Sequence, residues 1–126
     1  MQFNNSSQSI YLQIADYVCE KLLLKQWGAG EKIPSVREMS VELEVNPNTV
    51  MRTYEFLKQR GIIIDKRGIG YYITEEGPSI AITYRKEEFT DKELPQLFRT
   101  LYLLDIDLDD LKKKFELFKK QYTAKN

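Results

Sequence analysis

Apolar residues recur at spacings of three and four through Ile10, Ile14, Tyr17, Val18 and Leu22, the stripe of an amphipathic helix predicted over residues 9–26. The cluster Trp27-Gly28-Ala29-Gly30 is expected to end it. A short second helix is predicted over 36–43. Ser35 and Glu38 open it as a capping box, in which the Ser35 hydroxyl accepts from the Glu38 amide and the Glu38 carboxylate accepts from the Ser35 amide. Asn46 then occupies an N-cap position, and Pro47 the first helical position, where its missing N–H costs nothing. The third helix is predicted over 47–60 and halted by Gly61. Val50, Tyr54 and Leu57 share its apolar side, so Asn48, Met51, Arg52 and Glu55 face elsewhere.

Beyond Gly61 the period shortens to that of strands. Residues 62–66 and 71–74 are short β-rich runs around Arg67-Gly68-Ile69-Gly70, which reads as a hairpin. Two helices joined by a few residues, the second strongly capped, form a helix-turn-helix, and the hairpin adds a wing. Glu75-Glu76-Gly77-Pro78 is the expected boundary, giving a winged helix-turn-helix over residues 1–77 and a helical segment over 78–126. The fold class is mainly α with a small β-hairpin. In the tail, Phe89, Leu94, Leu97, Phe98, Leu101, Tyr102 and Leu104 lie on a broad apolar face that Pro95 should kink or divide. Asp107 is expected to cap a last helix bearing Leu108, Leu111, Phe115, Phe118 and Tyr122. Two helices of this size cannot enclose a core alone, and a second copy of the chain is the expected cover.

Composition narrows the function. The 126 residues, 42% hydrophobic and 30% charged, suit one ordinary domain or a small domain with an appendage. The first seven residues are mostly polar, expected to fray, and lack the features of a signal peptide, and no apolar run is long enough to cross a membrane. The chain therefore reads as cytoplasmic, without a membrane partner. Cys19, among Tyr17, Val18 and Leu22, reads as a small buried hydrophobe. Histidine is absent, which removes the usual general base and the commonest metal ligand. No nucleophile–base pair is visible, so no enzyme, cofactor or metal site is expected. Lys+Arg and Asp+Glu both number 19, so a polyanion partner must be recognised through where the charges sit.

Those positions favour double-stranded DNA. The N-terminal part of the second helix of a helix-turn-helix reaches base edges in the major groove, which here means Asn46, Asn48 and Thr49, continuing to Met51 and Arg52. Asn pairs with adenine, Arg with guanine, and Thr or Met touches a thymine methyl. The alternative is that Asn46 and Thr49 only cap the helix and Arg52 is solvated. Arg37 opposes the dipole of the 36–43 helix, so a nearby phosphate, base or carboxylate must explain it. Lys66 and Arg67, with Gly68 and Gly70, put cations on a protruding turn that can grip phosphates or enter a minor groove. They can equally protect a hairpin edge.

The blocks at residues 10–15, 30–38, 45–50 and 66–70 together resemble the GntR family of bacterial repressors across about residues 8–75. The short tail resembles that of the YtrA subfamily, whose members dimerise through it and lack a large ligand-binding domain. The resemblance implies DNA contacts for Arg37, for Asn46, Asn48 and Thr49, and for Arg67 and Gly68 in the wing. Many relatives carry arginines where this chain has Pro47 and Met51, so those guanine contacts do not transfer. Glu44 stands where the turn often has glycine, which implies either a left-handed residue or a different turn.

The expected protein is a homodimeric repressor on an inverted-repeat operator. Ser35, Arg37, Asn46, Asn48, Thr49, Arg52, Lys66, Arg67, Gly68 and Gly70 would contact DNA. Phe89, Leu97, Phe98, Leu101, Tyr102, Leu111, Phe115 and Phe118 would form the dimer. The tail aromatics, Tyr84 included, would otherwise line a small effector pocket, though whether an effector exists is not legible. A winged-helix protein-interaction module without specific DNA binding is the other reading, and the neutral net charge suits it.

Overall fold

The computed structural model describes residues 8–125, so the polar start expected to fray lies outside the described residues. A helix over Ile10–Leu23 (α1) buries Ile14, Ala15, Val18, Cys19 and Leu22. It ends before the predicted residue 26. Lys25 takes a left-handed backbone (φ 59°), and the amides of Gln26 and Trp27 both donate to the Lys21 carbonyl, so the chain leaves the helix before the Trp27 and glycine cluster.

The second helix, Val36–Leu43 (α2), carries the expected capping box. The Glu38 amide donates to Ser35 Oγ at 3.1 Å and the Ser35 amide donates to Glu38 Oε1 at 2.9 Å. Hydrogen bonding from the Ser35 amide first, and then from the Ser35 side chain, holds the Glu38 carboxyl below its ordinary range. Glu44 after α2 is left-handed (φ 56°), the strained alternative, at a cost of about 1–2 kcal/mol. The third helix, Pro47–Gln59 (α3), starts with Asn46 Oδ1 accepting from the Asn48 amide at 2.8 Å. It buries Val50, Thr53, Tyr54 and Leu57.

Strands Ile63–Lys66 (β1) and Gly70–Ile73 (β2) pair antiparallel, with Ile63 opposite Ile73 and Lys66 opposite Gly70. A further pairing was not signalled by the sequence. The Gly30 and Ile33 amides donate to the Ile73 and Tyr71 carbonyls, and the Ile73 amide donates to the Glu31 carbonyl. Residues 30–33 thus lie along β2, and a stretch this short, stopped by Pro34, shows no period.

The predicted boundary at 75–78 is instead the start of a helix, Gly77–Glu88 (α4). A Cβ on Gly77 would lie 2.6 Å from the Ile62 carbonyl oxygen and 2.9 Å from Ile73 Cγ2, so glycine here permits close packing. Ala81 and Tyr84 complete the core made by α1, α2, α3 and the hairpin, and Arg85 Nη1 stands 3.2 Å from Asp16 Oδ2 on α1. The first compact unit accordingly runs to Lys86, and Tyr84 belongs to its core rather than to the tail's aromatic set.

Tyr54 lies at the middle of this core, fully buried, with its hydroxyl donating to the Pro34 carbonyl at 2.7 Å and its ring edge-on to Tyr71 at 4.8 Å. Burial pushes its phenol well above the ordinary value of 10. Because the folded value is raised, this group's contribution is fully present below the unfolded-chain value and lost as pH rises beyond it. Urea midpoints measured from about pH 9 to 11 should fall less steeply for Tyr54→Phe than for the wild type. Parallel curves would show that the phenol is not protected by folding.

The second unit, from Glu87, holds a π-helical turn (Phe89–Glu93) and helices Leu94–Leu103 (α5) and Leu108–Lys125 (α6). The turn is the division expected from Pro95, which sits in the first turn of α5. The helix widens ahead of the ring, and the Leu94 amide donates to the Phe89 carbonyl. Asp107 caps α6 as predicted, its Oδ1 accepting from the Asp109 amide at 3.1 Å. Among this unit's described residues Leu101 is the one buried hydrophobic, while Phe89, Leu97, Phe98, Tyr102, Phe115 and Phe118 are exposed and Leu111 is partly covered.

Candidate nucleic-acid interface

The start of α3 is open to an incoming partner. Asn48 and Arg52, one turn apart, are exposed and Thr49 is half-buried beside them. Asn46 is exposed as well, but one of its side-chain oxygen's lone pairs is committed to the cap, so its free amide nitrogen is the group best placed to reach outward. Below this face the buried Thr53 hydroxyl lies 2.7 Å from the Tyr11 carbonyl and 3.1 Å from the Thr49 carbonyl, joining α3 to α1. Ser9, Ile10 and Tyr11 of the α1 start and Asn48, Thr49 and Arg52 of α3 line one open concavity of about 370 Å³.

Arg37, on the first turn of α2, is exposed, and among the described residues no carboxylate lies within ion-pair distance of it. The ion-pair explanation for a cation at this unfavourable end of the helix therefore fails. Ser35 is exposed next to it, its hydroxyl oxygen engaged in the cap.

At the wing, Ile69 closes the turn by donating to the Lys66 carbonyl at 2.8 Å. Gly68 is left-handed (φ 77°) with open space around it, and Arg67 beside it is exposed. The two wing cations are not equivalent. Lys66 Nζ sits 4.2 Å from the centre of the Tyr72 ring, held by its own hairpin, whereas Arg67 makes no such contact among the described residues. Gly70 has a backbone reason, φ 138°, which side-chain-bearing residues rarely adopt; Lys32 Cε, 2.9 Å from where a Cβ would sit, is the end of a flexible chain that can move aside.

Lys32 went unnoticed in the sequence. Its stem crosses the wing base and its charge helps to lower the Glu38 carboxyl, so it links the hairpin to the start of α2. Of the predicted residues, Asn48, Thr49 and Arg52 share one concavity with the start of α1, Ser35 and Arg37 lie at the start of α2, and Lys66, Gly68 and Gly70 lie on the hairpin. Asn46 and Arg67 stand at the helix start and the wing tip. Among the described residues no three His, Cys, Asp or Glu side chains are placed to hold a metal ion, and no helix is long and apolar enough to cross a membrane.

Residues 10–73 match the profile of bacterial regulatory proteins of the gntR family. The chain is 48% identical over 71 residues to the uncharacterized HTH-type transcriptional regulator YhcF of Bacillus subtilis, covering 56% of this chain and 59% of that protein, less than two thirds of its length. It is 35% identical over 106 residues to the HTH-type transcriptional repressor YtrA of Bacillus subtilis, covering 84% of this chain and 81% of that one. A crystal structure of a GntR-family regulator from Bacteroides thetaiotaomicron superposes with a TM-score of 0.72 at 40% identity, over 90% of this chain and 99% of that one. These relatives are regulators of transcription, not enzymes.

Proposed function

The chain belongs to the GntR family of bacterial regulatory proteins, and from that premise we propose that it is a cytoplasmic, homodimeric repressor that binds an inverted-repeat operator. Its DNA-binding unit presents α3 to the major groove of each half-site, with half-sites about one helical turn, ~34 Å, apart. Asn48, Thr49 and Arg52 read bases, while Arg37 and the wing's Arg67 and Gly68 hold the backbone and the adjacent minor groove. Repression is supported by the similarity to a named repressor over most of the chain.

One observation carries this reading. Arg37, Arg52 and Arg67 are all exposed, and among the described residues none of them has a carboxylate within ion-pair distance, in a chain whose acidic and basic residues are equal in number. At ion-pair distance no carboxylate of the described residues competes with DNA for these three guanidiniums.

The dimer is supported by the second unit. Helices that leave Phe98, Tyr102, Phe115 and Phe118 exposed and bury so little of their own surface present more apolar area than a stable monomer normally shows.

Gel shifts against DNA from upstream of the chain's own gene, at two salt concentrations, test the assignment. Arg37→Ala and Arg67→Ala should each weaken binding and flatten the plot of log affinity against log salt by about one for each phosphate no longer neutralised. Affinity and slope unchanged in both variants would remove these residues from the interface.

A further inference from the structure

Arg52 is held in a way that its place on α3 does not require. Its guanidinium carbon lies 3.9 Å from the centre of the Tyr11 ring, close enough for face-to-face stacking, and Tyr11 belongs to α1. That ring is fixed in turn. Phe56 meets it nearly perpendicular at 6.2 Å (interplanar angle 76°), and the Tyr11 carbonyl accepts from the fully buried Thr53 hydroxyl at 2.7 Å. Stacking occupies a guanidinium's face and leaves the N–H donors on its edge unspent. Among the described residues no carboxylate takes up those donors, and Arg52 borders the same concavity as Asn48 and Thr49.

We propose that Tyr11 is a positioning residue for base recognition: its ring holds Arg52 so that the guanidinium edge meets guanine O6 and N7 in the major groove. This rests on the operator-binding reading above. An arginine free in solvent must give up rotamer freedom when it pairs with a base, and one already stacked gives up less. The stack should therefore matter at the single base pair that Arg52 reads and should contribute nothing to phosphate binding. Arg52 thereby replaces, with a cation supported from α1, the arginines that Pro47 and Met51 displace from the helix.

The test uses the full chain and duplexes that the wild type selects from a random-sequence pool. Each base pair of the selected consensus is then changed in turn, and affinities are measured for wild type, Arg52→Ala, Tyr11→Leu and Tyr11→Phe. Wild type should discriminate by about tenfold or more at one G·C pair, and Arg52→Ala should lose that preference at that pair alone. Tyr11→Leu should lose most of the same preference while keeping the salt slope and the affinity for non-selected DNA, and Tyr11→Phe, which keeps the ring, should retain it. Thermal unfolding of both Tyr11 variants separates this from loss of fold, and a destabilised Tyr11→Leu leaves Tyr11→Phe against Tyr11→Met as the comparison.

Undiminished discrimination without the ring, a uniform loss at every pair, or an Arg52→Ala variant with unchanged preferences would each overturn the proposal while leaving operator binding intact. A pool that yields no consensus would overturn the operator-binding reading, and this proposal with it.

Discussion

Tyr54→Ala is expected to destabilise the DNA-binding unit by roughly 3–5 kcal/mol, enough to unfold most of a domain of ordinary stability. The side chain is fully buried, so its removal forfeits transfer free energy and leaves a void that rigid neighbours on three elements cannot close. Its hydroxyl also satisfies the Pro34 carbonyl, one residue before the Ser35 cap of α2, and its ring braces Tyr71 on β2. One side chain thereby fixes α3 against the entry to α2 and against the wing, the pieces whose relative placement the DNA surface depends on. Urea unfolding followed by circular dichroism measures the effect, and a loss under about 1 kcal/mol would mean the site collapses or Tyr54 is not the centre of this core.

The elements whose signals are local were legible in the sequence. The start of α2 follows from a capping box that needs only Ser35 and Glu38, and the start of α3 from Asn46 and Pro47. Pro95 announced the break in the tail, though not that a π-helical turn would absorb it.

What escaped depends on neighbours distant in sequence. Residues 30–33 pair with β2 only because it lies beside them, and the Gly77 and Pro78 pair reads as punctuation until Ile62 is brought against Gly77. Proline is tolerated in a helix's first turn, so that pair was equally compatible with a helix start, which is how it is used.

The candidate site divides in the same way. Arg37 and the wing turn could be picked out from residue type and position. That Lys66 is drawn onto Tyr72, that Arg52 rests on Tyr11 and that Lys32 crosses the wing base could not, because each pairs residues from different elements or opposite strands.

Replacing Phe115 and Phe118 together by aspartate is expected to convert the proposed dimer to a monomer and to weaken operator binding by about 100-fold or more. Both rings are more than half exposed on α6, so two carboxylates there cost the isolated unit little. Buried in a subunit interface, the same carboxylates would be desolvated without partners. Two joined DNA-binding units gain an effective concentration that single ones lack, so breaking the dimer lowers operator affinity while each protomer still meets its half-site in the same way.

That separation is measurable. Sedimentation equilibrium should show a monomer, the unfolding transition of the DNA-binding unit should be unchanged, and binding to an isolated half-site should equal that of the wild-type protomer. The salt dependence adds an internal check, because a phosphate released by each protomer counts twice in a dimer. Arg67→Ala should therefore lower the slope by about two in the otherwise wild-type protein and by about one in the aspartate background. Equal decrements in the two backgrounds, or a dimer that survives both substitutions, would show that the subunits do not join through this face of α6.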